Sequence, residues 1–175
     1  MFFVTCLVVL FSLLSTVAYG TAYARMAQAE LKDTQGKIVG LVTLSEDGTG
    51  AVHVVAHIHD LPPGIHAFHI HEAGVCTPPD FESAQGHFNP HGTEHGLMDT
   101  DGPHAGDLPN LVVAPDRTAI HATLAPLVTL GPGKHSLFQP QGTAFVVHQG
   151  ADDYHTDPSG AAGTRIACGE IMQVK

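Results

Sequence analysis

GIHAFHIHEAGVCTPPDFESAQGHFNPHGTEHGLMDTDGPHAGDLPN, residues Gly64 to Asn110, decides how the rest of the chain is read. It carries His66, His69, His71, His87, His91, His95 and His104, with Asp107 closing the run. Histidine is the commonest metal ligand and otherwise a sparse residue, so this density asks for a metal. His69 and His71 sit two apart in an apolar-rich segment of strand character. Side chains at i and i+2 of a strand point the same way, so one strand offers two imidazoles to one ion. His87, His95, His104 and Asp107 lie in a Gly/Pro-rich loop, where only a metal is expected to hold them in register. Three His and one carboxylate make the closed tetrahedral set that structural zinc takes. A solvated His-rich loop is the bland alternative.

Outward from this stretch, short apolar runs alternate with turn residues. Strands are expected at Ala27 to Asp33, Gly36 to Glu46, Gly50 to Asp60, through His69 and His71, at Asn110 to Ala114, Thr118 to Leu124, Thr143 to His148 and Arg165 to Val174. Asp47-Gly48 is a hairpin signal, Pro62-Pro63-Gly64 forces a turn, and Pro115-Asp116 is expected to join a strand pair. No helix and no internal repeat is legible. The fold class expected is all-β: an eight-stranded antiparallel Greek-key barrel or sandwich with long metal-binding loops. Loops longer than about 15 residues in a compact domain are usually functional, and the longest one here carries the histidines.

The chain has 175 residues, enough for one ordinary domain, with a formal net charge of -10 and only 7 Lys and Arg. That balance argues against nucleic acid, which wants a basic face. Phe2 to Val17 is nearly all apolar and is followed by Ala22-Tyr23-Ala24, an A-x-A-like cleavage site. Residues 1–24 therefore read as a signal peptide and 25–175 as the mature domain, periplasmic or secreted, with no stable membrane association after cleavage. An uncleaved anchor is the alternative, because the n-region lacks Lys and Arg; the apolar run is short for a span. Cys6 has no lipobox in front of it and leaves with the signal. Cys76 and Cys168 remain, and an even pair in an exported chain reads as one disulfide. It would tie the start of the long loop to the strand carrying Arg165, an anion clamp beside the metals. His148 ends the strand TAFVVH and can point towards the His69/His71 pair.

The strings GIHAFHIHE, QGHFNP, HAGDLPN, FVVHQGADD and GTRIACGEI occur in order over most of residues 31 to 174. Together they resemble the copper,zinc superoxide dismutases of the exported bacterial type. Position by position, the resemblance implies one copper held by His69, His71, His87 and His148. It implies one zinc held by His87, His95, His104 and Asp107, with His87 bridging the two ions as an imidazolate. Asp152 matches the carboxylate that links a copper His to the zinc ligand His95. Arg165 matches the anion-guiding arginine, and Cys76–Cys168 the family disulfide. The implied activity is dismutation of superoxide to dioxygen and hydrogen peroxide, protecting against superoxide outside the cytoplasm. Copper would be alternately reduced and oxidised, and His87 would release copper and gain a proton. The family includes monomers and homodimers.

The loop QGADDYHTDPSGAAGT, residues 149–164, has no Lys or Arg where much of the family places steering lysines. His155 stands there instead, either steering substrate when protonated or simply solvated. His66 is expected to pack and hydrogen-bond near the site, and His91 to lie on the surface. His53, His57 and His59 share one parity and are either a solvated face or a third metal site. Lys134 and His135 in the second loop are candidates for the site rim. Asp99 and Asp101 read as a turn, leaving Asp107 as the carboxylate ligand. Two further readings compete with the enzyme. A metal carrier on the same fold would be marked by loss of Arg165, a copper ligand or Asp152. A structural β-sandwich with a zinc-stabilised loop would need neither Arg165 nor His148.

Overall fold

The computed structural model describes residues 25–174. The signal-peptide reading and Cys6 lie outside the described residues. Ten strand segments follow in order: β1 Arg25–Asp33, β2 Ile38–Glu46, β3 Val52–Ile58, β4 Gly64–His66, β5 Phe68–His71, β6 Leu111–Val113, β7 Ala119–Ala125, β8 Ala144–His148, β9 Arg165–Glu170 and β10 Met172–Gln173. The expected eight strands become ten because two of them break. Ala67 separates β4 from β5, and Ile171 separates β9 from β10. The first break lets one strand serve two partners, β4 pairing with β6 while β5 pairs with β8; at the second, β9 lies between β8 and β1, and β10 continues along β1 further on.

All named pairings are antiparallel, and the large sheet runs β5-β8-β9-β1-β2-β3-β7 with β10 on β1. This is the Greek-key order expected of an all-β chain, since β7 returns past three strands to pair with β3. Among the described residues the only helical piece is a 3-10 turn at Glu82–Ala84, and no helix is long and apolar enough to cross a membrane. Alternation explains the strands: β1 buries Ala27, Ala29 and Leu31 and exposes the residues between them. Asp47 closes the β2–β3 hairpin, accepting from the backbone N–H of Thr49 and Ala51.

One pairing differs from expectation. β6 and β7 are joined by the turn at Pro115-Asp116, where the N–H of Ala114 reaches the carbonyl of Thr118, but they do not form a ladder. β7 takes a seven-residue register on β3, and β6 a three-residue register on β4. Arg117, at φ 69, closes the turn in the left-handed region, so the chain leaves it heading for a different sheet.

Strands β5 and β8 are buried on both faces. Phe68, Ile70, Phe145 and Val147 enter the main core, where the rings of Phe68 and Phe145 stack with centroids 4.9 Å apart. On the opposite face Ala144, Val146 and Cys168 gather with Phe81 and Ala84 of the long loop. His69 and His71 point to this second face. The barrel core and the histidine site are therefore back to back on the same strands, and the long loop is the lid of the second face.

Candidate metal centre

Two four-residue groups of ligand-type side chains are assembled, each with candidate ligand atoms mutually within 4.8 Å: His69, His71, His87, His148, and His87, His95, His104, Asp107. All seven residues are buried. β5 supplies His69 and His71, and the end of β8 supplies His148, brought across by the β5–β8 ladder in which His69 faces Val146.

The loop ligands are held by the backbone, not by metal alone as the sequence suggested. β5 is an edge strand, and the loop laces along its free side. The N–H of Ile70 donates to Gly106, Phe88 to Ile70, Gly106 to Phe88, and Glu72 to Gly86. This fixes His87 beside His71 and Asp107 beside His69. Gly106 must be glycine, since a Cβ there would overlap the carbonyl of Ile70.

Hydrogen bonds decide which nitrogen of each ring is left for an ion. A carbonyl or carboxylate only accepts, so the ring nitrogen facing it carries the proton. His71 Nδ1 donates to the Gln85 carbonyl at 2.8 Å, and His148 Nδ1 to the Gly163 carbonyl at 3.2 Å. Their Nε2 atoms then face one another at 3.4 Å. His69 Nε2 donates to Asp152 Oδ2 at 2.8 Å and His95 Nε2 to Asp152 Oδ1 at 3.0 Å. Their Nδ1 atoms are left inward. Three of the site's buried ring nitrogens make no well-directed hydrogen bond: His69 Nδ1, His87 Nε2 and His95 Nδ1, the last facing Asp107 Oδ1 at 3.1 Å as an ion pair. An orphaned buried polar atom is costly and calls for a partner. The three in the site point into the two groups; a fourth, His121 Nε2, lies outside them against Phe68. In the second group Asp107 Oδ1 lies 2.8, 3.1 and 3.4 Å from the Nδ1 atoms of His87, His95 and His104. Its Oδ2 accepts from the N–H of Gly96 and of His104, both at 3.0 Å. His87 thus presents Nδ1 to one group and Nε2 to the other.

The electrostatics follow from burial. Desolvation lowers the pKa of His87 to about 4, against the pull of Asp107, and that of His148 to about 3, with help from His69 and Arg165. His71 is lowered well below its usual range for the same reason. His95 goes the other way. Burial opposes its charge, but Asp107 and Asp152 together outweigh burial and raise it to about 9. Burial pushes the Asp107 and Asp152 carboxyls up, yet the histidines around them win and hold both well below the usual range. His71, His87 and His148 are thus neutral and ready to ligate, while His95 pairs Asp107 and Asp152 with a proton that an ion would displace.

A cleft of about 760 Å³ opens onto the first group, lined by His71, His87, His148, Arg165, Asp80 and Glu82 among others. Arg165 is fixed there by donating Nη1–H to the Phe81 carbonyl at 2.7 Å and Nη2–H to the Gln85 carbonyl at 2.8 Å. Cys76 and Cys168 are disulfide-bonded, with Cα atoms 5.6 Å apart, and so join that loop to the strand of Arg165. His66 is buried with its ring nitrogens facing the His148 and Pro62 carbonyls, the packing role expected of it. His91 is exposed as expected. His155, Lys134 and His135 do not line the cleft. His53, His57 and His59 are exposed; the first meets Asp47 and the third Asp60. Asp99 makes the expected turn by accepting from the N–H of Asp101.

Three residues escaped the sequence reading. Asn110 accepts from the Asp152 N–H at 2.9 Å and donates Nδ2–H to its carbonyl, also at 2.9 Å. The N–H of Tyr154 donates to Asp152 Oδ1 at 2.7 Å. Gly160, at φ +66, packs so closely that a Cβ would overlap Asp152 Oδ1. The tail of HAGDLPN and the loop after His148 held the signal, but only contact in space gives it meaning.

The comparisons fit this geometry. The family model described as copper/zinc superoxide dismutase matches residues 38–171. Superoxide dismutase 2, copper–zinc, of Aquifex aeolicus (strain VF5) is 50% identical over 147 residues, covering 83% of this chain and 85% of its own. Superoxide dismutase 1 of the same organism, also copper–zinc, is 44% identical over 156 residues, covering 88% and 92%. The crystal structure of a SOD-like protein from Bacillus subtilis superposes with a TM-score of 0.80 at 41% identity, covering 83% of this chain and 97% of that one. With strand order, ligand groups and sequence in agreement, the chain belongs to the copper/zinc superoxide dismutase family.

Proposed function

We propose that this protein dismutates superoxide, with copper held by His69 Nδ1, His71 Nε2, His87 Nε2 and His148 Nε2, and zinc by His87 Nδ1, His95 Nδ1, His104 Nδ1 and Asp107. One observation carries the reading. The orphaned nitrogens of His69, His87 and His95 converge on two adjacent points that share the His87 ring. Imidazole nitrogens suit both copper and zinc, and a carboxylate with three imidazoles suits zinc. When bound, copper supplies one-electron chemistry, oxidising one superoxide to dioxygen and reducing the next to peroxide, while zinc has no redox chemistry.

The chain's residues do the rest. Arg165 faces the cleft with N–H donors beyond the two that hold it to Phe81 and Gln85, and so attracts and orients an anion. His87 Nε2 lines the same cleft and, whenever it is not engaged as a ligand, can hold a proton there and give it to the reduced substrate. His69, hidden from the cleft, and Asp152 act by keeping the other rings in place. Two superoxides and two protons become one dioxygen and one hydrogen peroxide.

The fold alone does not decide activity, since functions differ on shared folds. A metal carrier would be expected to dispense with Arg165, a ligand or Asp152, and all are present. The proposal extends to export: residues 1–24 act as a cleaved signal, and the disulfide supports an oxidising compartment. The test is metal content and dismutation by the purified mature chain beside His148→Ala and Arg165→Ala. Expected are both metals and activity in the wild type, loss of copper and activity in the first variant, and a slower enzyme with both metals in the second. A wild type that binds both metals without dismutating superoxide sinks the enzyme reading and leaves the carrier.

A further inference from the structure

Outside the two inner groups, one histidine pair is drawn together by separate loops. His91, on the long loop between His87 and His95, lies against His135 of the loop joining β7 to β8, with ring centroids 4.5 Å apart at 62°. Histidine pairs within the two inner groups have centroid separations from 4.1 to 6.3 Å, so this pair has the spacing of rings that can share an ion. His135 is also oriented like a ligand. Its Nδ1 donates to the Leu127 carbonyl at 3.0 Å, as His71 and His148 donate to Gln85 and Gly163. That bond places the lone pair on Nε2 and fixes the ring's direction. Among the described residues no hydrogen bond holds the His91 ring, which is exposed and free to turn its nitrogen to an ion. The other exposed histidines differ. His53 is engaged by Asp47 and His59 by Asp60, while His57 faces Leu41 and Ile120 across the sheet.

We infer that His91 and His135 form an additional, solvent-open site for a borderline divalent ion, with two imidazole ligands and water in the remaining positions. Among the described residues no third His, Cys or carboxylate completes the group, so the ion exchanges readily. Two imidazoles without carboxylate select late first-row metals over calcium or magnesium, and Cu(II) over Ni(II) or Zn(II). Occupancy joins the loop that carries His87 and His95 to the loop spanning residues 126–142. The site stands apart from the proposed activity and does not rest on it.

The probe is Cu(II), titrated into protein that already carries its full complement of tightly bound metal, followed by electron paramagnetic resonance. Expected is one further Cu(II) per chain with a two-nitrogen pattern. It disappears in His91→Ala and in His135→Ala and persists in His57→Ala, while the tightly bound metal stays unchanged in all three. A titration with no further ion overturns the inference. So does an additional ion that survives both the His91 and the His135 substitutions.

Discussion

Replacing Asp152 by Asn keeps the shape of the side chain and removes its ability to serve two histidines. In the native site each oxygen accepts one ring proton, from His69 Nε2 at 2.8 Å and from His95 Nε2 at 3.0 Å, and Oδ1 also takes the Tyr154 N–H, with the carboxylate wholly buried. An amide offers one oxygen and one NH2. The ring facing the NH2 must present a lone pair there and move its proton to Nδ1, the nitrogen that would face the ion. One metal then loses a ligand. Substituting carboxylates behind a ligating His typically costs 10–100-fold in metal affinity, about 1.4–2.7 kcal/mol. Asn110 still holds the backbone of residue 152, so the loss falls on tautomer rather than on folding. Chelator competition should therefore show one metal, copper or zinc, bound about 10–100-fold more weakly, with the other near native. Nitrogen NMR of the metal-free protein should show one Nε2–H replaced by Nδ1–H. Where zinc is the weakened metal, its deficit should widen as pH rises towards 9. The same carboxylate helps to hold His95 protonated up to about 9, and its removal relieves zinc of part of that competition at pH 7. Native affinity for both metals in the variant would refute the tautomer argument.

Three more outcomes follow from the geometry. Glu82 Oε2 lies 3.9 Å from Arg165 Nη2 at the cleft wall and repels an incoming anion by roughly 0.5 kcal/mol at about 8 Å in water; Glu82→Gln should raise kcat/KM about twofold at low salt, with the gain fading as salt screens it, and an equal rate at every ionic strength would remove Glu82 from the account. The disulfide joins residues 92 apart in sequence, and Cys76→Ser with Cys168→Ser should cost about 4–5 kcal/mol on the loop-entropy scale, read as a lower denaturant midpoint. In the metal-free protein His87 and His148 titrate at about 4 and about 3 against about 6.5 when unfolded. Through these two groups the unfolded chain binds more protons between these limits, so their contribution to stability should be full above pH 6.5 and fall progressively as pH drops towards 4 and 3, while that of His95, raised to about 9, is already full below pH 6.5; a midpoint unchanged from pH 7 to 4 would contradict the burial seen here.

How much of this could be read without coordinates depends on whether the cause is local. The strands of β1, β2 and β3 were legible because alternation at period two follows from burial of one face. His69 and His71 were legible for the same reason. The separation of β6 from β7 was not, because Pro115-Asp116 specifies a turn and says nothing about which distant edge each strand will find. Residues 86–88 and 106 looked like unsupported loop, since the backbone bonds they make are to β5 and carry no side-chain signature. Asn110, Tyr154 and Gly160 were invisible as site residues for a related reason: each acts on Asp152, and their roles exist only once two loops meet.

That distribution has a physical consequence for how the site is built. The ions are not asked to order a free loop of more than thirty residues, which would consume much of their binding energy in conformational entropy. Backbone bonds to β5, the disulfide and the packing of Phe81 and Ala84 on β8 already hold most of the loop. What they leave uncompensated in the site is local: three buried ring nitrogens without hydrogen bonds and an Asp107 crowded by three imidazoles. Metal binding then relieves polar groups that folding has already desolvated, and the energy goes into fixing ring positions around His87 rather than into closing the loop. The His91–His135 pair has no such preparation beyond one carbonyl, and so is suited to an exchanging ion where the inner groups are suited to resident ones.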